Sequence, residues 1–233
     1  MKPRVICHMI SSLDGGLHLS RCSTSPDGDR SAWSAVYEQV HEQLDGDGWI
    51  VGRVTMAEIS TASAHPPAHA AAVDRRRHIA DRDAGSYAVA LDPSGKLHFD
   101  GARIGGDHVI VLLGSDVPDT HLAELAADGV SYLVAEAGQI DLAAMLDILG
   151  REFGIRRLLL EGGAGICGSF FAAGLVDELS LLVAPALDGR AGHQAFIELG
   201  EAGLADKVQL SLTGCEALPH GLVHLRYAVT PMS

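Results

Sequence analysis

Six residues, Gly163-Ala164-Gly165-Ile166-Cys167-Gly168, spell G-x-G-x-x-G, a spacing with which a turn can bring backbone amides up to a phosphate. Glycines ahead of a helix let the main chain approach an anion closely, and the free N–H groups and helix dipole favour negative charge there. The apolar run Arg157 to Leu160 stands before the loop as a strand, a short helix near Ile166 to Ala173 follows it, and Asp188 lies downstream at a strand end. A phosphate or pyrophosphate contact is expected; the other reading is a tight turn kept for helix and strand packing. A full Rossmann domain is not expected. The helix has room for about nine residues and only 65 residues follow Gly168, too few for several more βα units.

Histidine and cysteine chemistry has weaker support. His65-Pro66-Pro67-Ala68-His69 presents two imidazoles, but the prolines oppose a helix that would align them. With no third ligand evident nearby, no metal site is expected. Cys7, Cys22, Cys167 and Cys215 are widely spaced without a CxxC pair and read as free buried thiols of a reducing compartment. No Gly-x-Ser-x-Gly is present, and His8, within an apolar strand, reads as a core histidine.

The whole chain bounds these readings. With 233 residues, 47% apolar and 20% charged, it can bury a core without disulfide or metal staples, and a single domain over residues 1–233 is expected. Seventeen Lys+Arg against 30 Asp+Glu give a net charge of −13, which argues against a nucleic-acid or anionic-membrane partner. A phosphorylated small molecule, held by a few local donors, remains compatible. No apolar run reaches the roughly 18 residues of a membrane span and the start lacks a secretory h-region, so a cytoplasmic protein is expected. Aromatic residues make up 5% of the chain, so the core must be aliphatic.

The elements that must position these residues follow from periodicity. Arg4 to Ile10 is nearly continuous in apolar character, as a strand buried on both faces should be. A Ser-, Gly-, Asp- and Pro-rich loop from Ser11 to Arg30 follows. Trp33, Val36, Tyr37, Val40 and Leu44 repeat at helical spacing. Trp49-Ile50-Val51 forms a short strand ending at Gly52, and Arg53 to Ile59 opens a helix. Residues 60–84 show no period and read as irregular surface. Further strands are predicted at Tyr87 to Leu91, His108 to Leu113, Ser131 to Val134, Arg157 to Leu160 and Glu178 to Ala184. Helices are predicted from Thr120 to Asp128 and after the N-cap Asp141. Alternation at Val208, Leu210, Leu212 and at Val223, Leu225, Tyr227, Val229 marks half-exposed antiparallel strands. The expected class is α/β, with a mixed sheet closed by an antiparallel hairpin.

Three pieces of sequence, in order, carry a resemblance. Leu158-Leu159-Leu160-Glu161-Gly162-Gly163, with Leu175-Val176-Asp177-Glu178-Leu179 and Ala184-Pro185-Ala186-Leu187-Asp188-Gly189, resembles the C-terminal signature of the riboflavin-biosynthesis pyrimidine reductases. Ser12-Leu13-Asp14-Gly15 and Ile50-Val51-Gly52-Arg53-Val54-Thr55 fall in the family's order, with Ala90-Leu91-Asp92 and Gly95 as a weaker fourth piece. The resemblance spans roughly residues 3 to 190. It implies a dihydrofolate reductase-like α/β/α fold with a mostly parallel mixed central sheet, a bound NADPH, and hydride transfer to the ribose C1′ of a phosphoribosylamino pyrimidine. It further implies cofactor contacts from Gly52, Arg53, Thr55, Gly162, Gly163, Ala164 and Gly165, the arginine fork being suited to a 2′-phosphate. Asp14 and Glu161 become the catalytic candidates, one facing the sugar or nicotinamide region and the other the substrate. Their plainer alternatives are an Asp-Gly turn and a helix cap. Ser12, Trp33 and Arg21 become substrate-side candidates, Trp33 with a core role as its alternative. A homodimer is expected, paired through sheets or C-terminal strands.

The sequence departs from the longer bacterial members after Thr55. There it reads Met56-Ala57-Glu58-Ile59-Ser60, without the Asp-Asn-Pro stretch and arginines that those members carry. Arg21 and Arg75-Arg76-Arg77 are the available cations for a substrate phosphate. A stand-alone reductase domain is expected, without the fused deaminase and its zinc-ligand set that some family members carry. The alternative functions are a paralogue acting on another pteridine, imine or carbonyl, and a non-catalytic nucleotide-binding module.

Overall fold

In the computed structural model, residues 1–68, 73–201 and 203–232 are described. The chain runs β1 (Arg4–Ser12), α1 (Arg30–Leu44), β2 (Gly48–Gly52), α2 (Arg53–Ile59), β3 (Arg77–His78), β4 (Tyr87–Asp92), β5 (Arg103–Ile104), β6 (Asp107–Leu113), α3 (Asp119–Ala127), β7 (Ser131–Val134), α4 (Leu142–Glu152), β8 (Arg157–Leu160), α5 (Ala164–Ala172), β9 (Glu178–Ala184), β10 (Val208–Ala217) and β11 (Val223–Pro231). The expected α/β class is found, with mostly parallel strands followed by an antiparallel hairpin. Two compact units divide it, Met1–Pro3 with Asp47–Leu158, and Arg4–Gly46 with Leu159–Ser233.

In the first unit β2, β4, β6 and β7 pair in parallel, with the short β3 and β5 added antiparallel. β4 and β6 are buried almost throughout, as strands covered on both faces must be, and their sequences are correspondingly continuous in apolar residues. Val51, Ala88, Ala90, Val109, Val111 and Tyr132 share one core cluster with Met56 of α2 and Leu122 and Leu125 of α3, the period of two along each strand placing them on one face. Asp92, fully buried, ends β4 by accepting hydrogen bonds from the backbone N–H of Lys96 at 2.6 Å and Leu97 at 2.7 Å. Gly95 inside that turn sits at φ 60°, a conformation glycine reaches without steric cost. The two short strands lie in stretches with no readable period, which is why periodicity did not find them.

In the second unit β1 pairs in parallel with β9, β9 antiparallel with β11, and β11 antiparallel with β10. Trp33, Val36 and Val40 of α1 pack with Leu182, Ala184, Ala186 and Leu222. The Asp29 side chain caps α1 at Ala32 N, 2.9 Å away, as Asp141 caps α4 of the first unit at Ala144 N, 3.0 Å away. The hairpin differs from expectation in one respect. Leu210 and Leu212 of β10 are 48% and 60% exposed, because β10 is the end strand of this set and the apolar side of its alternation is left largely uncovered by the chain.

The four cysteines are free thiols. Cys7 and Cys167 are buried with Sγ atoms 3.9 Å apart, whereas Cys22 is half-buried and Cys215 exposed, which corrects the expectation that all four are buried. Cys215 sits on the outlying β10. His69 of the expected two-histidine motif lies outside the described residues. Among the described residues no helix is long and apolar enough to cross a membrane.

Candidate active site

The candidate residues fall in both units, and the second unit holds the two candidate carboxylates, Asp14 and Glu161. Asp14 follows β1 in an exposed turn. Its Oδ1 accepts from Ser12 Oγ at 2.5 Å and from Asp188 N at 3.1 Å, and its Oδ2 accepts from Gly189 N at 2.7 Å. The Ser12 hydroxyl, followed by the Gly189 and Asp188 amides, holds the Asp14 carboxyl well below the usual carboxylate range. Asp14 is therefore a fixed anion that ties the turn after β1 to the segment after β9. Asp188 in turn grips Arg190 through two contacts of 2.6 and 2.8 Å, and the His193 ring touches Arg190 O at 2.9 Å and Asp14 O at 3.2 Å. Ser12 is 1% exposed, and its Oγ also accepts from Gly16 N at 2.8 Å, so its hydroxyl is engaged within the turn.

Glu161 follows β8, with a side chain 10% exposed. Burial pushes its carboxyl above the ordinary value, partly offset by the neighbouring His41, whose Nδ1 lies 2.7 Å from Oε1. Desolvation favours the neutral form of a carboxyl group, so Glu161 has the properties of a group that can hold and release a proton. Tyr37, one helical turn before His41, donates to His8 O at 3.1 Å and stacks on the His8 ring with centroids 4.2 Å apart. His8 is buried and contacts Ser180 Oγ at 3.1 Å, the satisfied core histidine that its strand implied. His41 was missed because the stripe of α1 was read from its apolar residues alone. The visible signal was its i, i+4 spacing from Tyr37, which places both on one helix face.

The glycine loop has the conformation that its composition suggested. Gly162 and Gly163 adopt φ of 144° and 79°, and α5 starts at Ala164 with Gly163 as an N-cap that supplies no side-chain hydrogen bond and no acidic residue in the first turn. The first N–H groups of such a helix lack intrahelical partners, and a Cβ built on Gly165 meets nothing within 4 Å. This open, uncapped helix start fits a phosphate group. Gly168 differs. A Cβ there would lie 1.9 Å from Glu198 O, so the third glycine of the motif serves close packing.

In the first unit Gly52 is the N-cap of α2, again without a side-chain cap, and Arg53 and Thr55 are half-buried in the first turn. Arg75 is consumed structurally, pairing with Asp119 and donating to Ser115 O at 2.7 Å and Val117 O at 2.8 Å. Arg77 pairs with Glu152 at 2.9 Å. Arg76 and Arg77 also line a cavity of about 670 Å³ beyond the end of β7, with Glu136, Gln139 and Arg151. Arg21 ends a 3-10 turn and is exposed. Trp33 is 3% exposed, with Nε1 donating to His220 O at 3.1 Å, which places the indole in the packed stripe of α1 rather than at an open wall.

Comparison with known proteins places the chain among relatives. A curated relative from Methanothermobacter thermautotrophicus, a 2,5-diamino-6-ribosylamino-4(3H)-pyrimidinone 5′-phosphate reductase, is 27% identical over 229 residues, covering 96% of this chain and 97% of its own. The riboflavin biosynthesis protein RibD of Bacillus amyloliquefaciens is 38% identical over 81 residues, 35% of this chain and 21% of its own. Among solved structures, a pyrimidine reductase-like protein from Corynebacterium diphtheriae superposes with a TM-score of 0.69 at 20% identity, covering 97% of this chain and 92% of that one. Acinetobacter baumannii RibD superposes with a TM-score of 0.65 at 23% identity, covering 98% of this chain and 58% of that one. The family model described as the RibD C-terminal domain matches residues 3–224, and this chain belongs to that family.

Proposed function

We propose that the chain is an NADPH-dependent reductase acting on a phosphoribosylamino pyrimidine of riboflavin biosynthesis. The observation that carries this reading is the match to the Methanothermobacter reductase over nearly the whole of both chains. When bound, the nicotinamide supplies the hydride that reduces the ribosyl carbon C1′; the protein has to hold, orient and protonate.

The uncapped start of α5, with Gly162 and Gly163 ahead of it and Ala164 and Gly165 in its first turn, offers backbone N–H groups to the cofactor pyrophosphate. Gly52, Arg53 and Thr55 at the start of α2 are assigned to the cofactor on the family's pattern, the Arg53 guanidinium meeting the 2′-phosphate as a bidentate donor. Glu161, its carboxyl raised by burial, would give a proton to the ribose ring oxygen as the C1′–O bond opens and C1′ takes the hydride. Asp14 keeps the turn after β1 and the segment at Asp188 and Gly189 in register, so that substrate groups meet a fixed surface. Arg21 remains a candidate for the substrate phosphate. Ser12 is assigned to shaping the turn, and Trp33 to the packing of α1 against Leu182, Ala184 and Leu222.

Two pyrimidines separate the choices. The purified chain is expected to oxidise NADPH in the presence of either the 2,5-diaminopyrimidinone or the 5-aminouracil phosphoribosyl compound, and the faster one identifies the substrate. Absence of turnover and of binding with both, under conditions where dihydrofolate or a simple imine is reduced, would transfer the assignment to a paralogous activity. A homodimer is proposed through β10, whose Leu210 and Leu212 are exposed. Light scattering should give twice the chain mass, and Leu212→Lys should shift it towards the monomer.

A further inference from the structure

Far along the chain from the glycine loop, α3 carries His121, Glu124 and, just past its end, Asp128. This i, i+3, i+7 spacing puts all three on one helix face. Glu124 is 2% exposed. Its Oε1 lies 2.6 Å from His98 Nδ1, 3.3 Å from His65 Nδ1 and 3.1 Å from the His65 backbone N, while His65 Nε2 lies 3.1 Å from Asp128 Oδ1. The His98 and His121 rings meet edge to face with centroids 5.3 Å apart. One ligand atom from each of His98, His121 and Glu124 falls within 4.8 Å of the others, and the same holds for His65, Glu124 and Asp128.

A second observation points to a missing partner. His121 Nε2 and Asp128 Oδ2 are buried without any hydrogen-bond partner, and they are the two such side-chain atoms among the described residues. His121 as a whole is 5% exposed. Buried polar atoms are paired in the large majority of cases, and each exception calls for an explanation such as an ion. The two atoms belong to the two triads that share Glu124, and an ion held by His98, His121 and Glu124 gives the buried His121 nitrogen the partner it lacks.

We propose that His98, His121 and Glu124, with Asp128 and His65 beside them, form a binding site for a divalent transition metal of the zinc class. Two imidazoles and a carboxylate suit Zn²⁺ or Co²⁺ rather than Mg²⁺ or Ca²⁺, which prefer oxygen ligands alone. Zinc bonds of about 2.0–2.2 Å to N and O would replace the contact between His98 and Glu124 and part that pair by less than about 1 Å. His98 is one-fifth exposed and His65 nearly half exposed, so the cluster opens to solvent on their side. The site would clamp α3 to the turn that Asp92 organises around Leu97 and His98, and so act as a structural staple for the first unit. It uses none of the residues assigned to the reductase and is independent of the proposed function. It replaces the sequence-based expectation of no metal, which weighed only the two histidines of the His65 to His69 stretch.

The test is calorimetric titration of the untagged, chelator-treated full chain with ZnCl₂ and CoCl₂, together with the visible spectrum of the cobalt form and a thermal melt with and without zinc. Expected are one saturable equivalent per chain, ligand-field bands characteristic of low-coordinate cobalt, and a higher Tm with zinc, since a ligand binding only the folded state stabilises it. His98→Ala, at the partly exposed position, and Glu124→Gln should each weaken binding by about tenfold or more, with circular dichroism confirming that the variants are folded. His18→Ala, a histidine outside the cluster, should leave binding unchanged. No saturable binding of either ion, or one equivalent retained at full affinity in folded His98→Ala and Glu124→Gln, overturns the proposal.

Discussion

The Glu161 carboxylate lies 2.7 Å from Nδ1 of His41, a contact between the end of β8 and the last turn of α1 that spans 120 residues of sequence. It gives a buried carboxyl a close imidazole partner, while burial raises its proton affinity. Glu161→Gln keeps the shape and removes the ionisation. The expected outcome is a fall in kcat of about 10²- to 10⁴-fold, the usual share of a positioned acid or base, with NADPH affinity little changed. Stability moves the opposite way. A carboxyl whose folded pKa is raised contributes stability that is present below its unfolded value and lost as pH rises through the folded value. The Tm difference between Glu161→Gln and wild type should therefore shift in favour of the variant from acid to neutral pH. Unchanged kcat would remove Glu161 from the chemistry.

Gly165 and Gly168 belong to one motif and should answer differently to substitution. Gly165→Asp enters open space at the first turn of α5, where a negative charge favours the helix. It should fold at least as stably as wild type while losing about tenfold or more in NADPH affinity, roughly 1.4 kcal/mol. Gly168→Ala drives a methyl group into Glu198 O and should cost about 1–3 kcal/mol of stability, read by urea denaturation. Tight NADPH binding by Gly165→Asp would show that the helix start does not hold the pyrophosphate.

Arg53 is proposed to meet the 2′-phosphate, the group that distinguishes the two nicotinamide cofactors. Arg53→Ala should lower kcat/KM for NADPH by about ten- to a hundredfold, in the range of a charge-assisted bidentate contact, while kcat/KM for NADH changes little. Equal losses with both cofactors would assign Arg53 to scaffolding of α2.

His8 gives the acid limb of the stability curve a specific cause. Burial pushes its pKa down to about 4, so between that value and its unfolded value near 6.5 the unfolded chain binds the extra proton. Stability from this group is full above the unfolded value and is lost as pH falls through the window, about 3 kcal/mol in all. His8→Gln should flatten the decline in urea stability between about pH 6.5 and 4. Parallel curves for the variant and wild type would place the acid sensitivity elsewhere.

Local sequence determined most of the elements and the glycine loop ahead of α5. Continuous apolar runs such as Tyr87 to Leu91 could only be strands covered on both sides, the stripe from Trp33 to Leu44 could only be an amphipathic helix, and Asp29 and Asp141 stand where helix N-caps are needed. Of these, Asp141 was readable as a cap beforehand. Gly162 and Gly163 announced a backbone that side-chain-bearing residues rarely adopt. These signals are short-range, since a period or a positive φ is set within a few residues. What the tertiary structure alone decided are meetings across long separations: Asp14 with Gly189, Glu161 with His41, and His98 with Glu124. It also divided the glycines of one motif between an open helix start and a crowded contact, and it brought two imidazoles to a buried carboxylate where the sequence offered only a proline-broken pair. Each depends on which strands and helices pack together, and no local pattern encodes that.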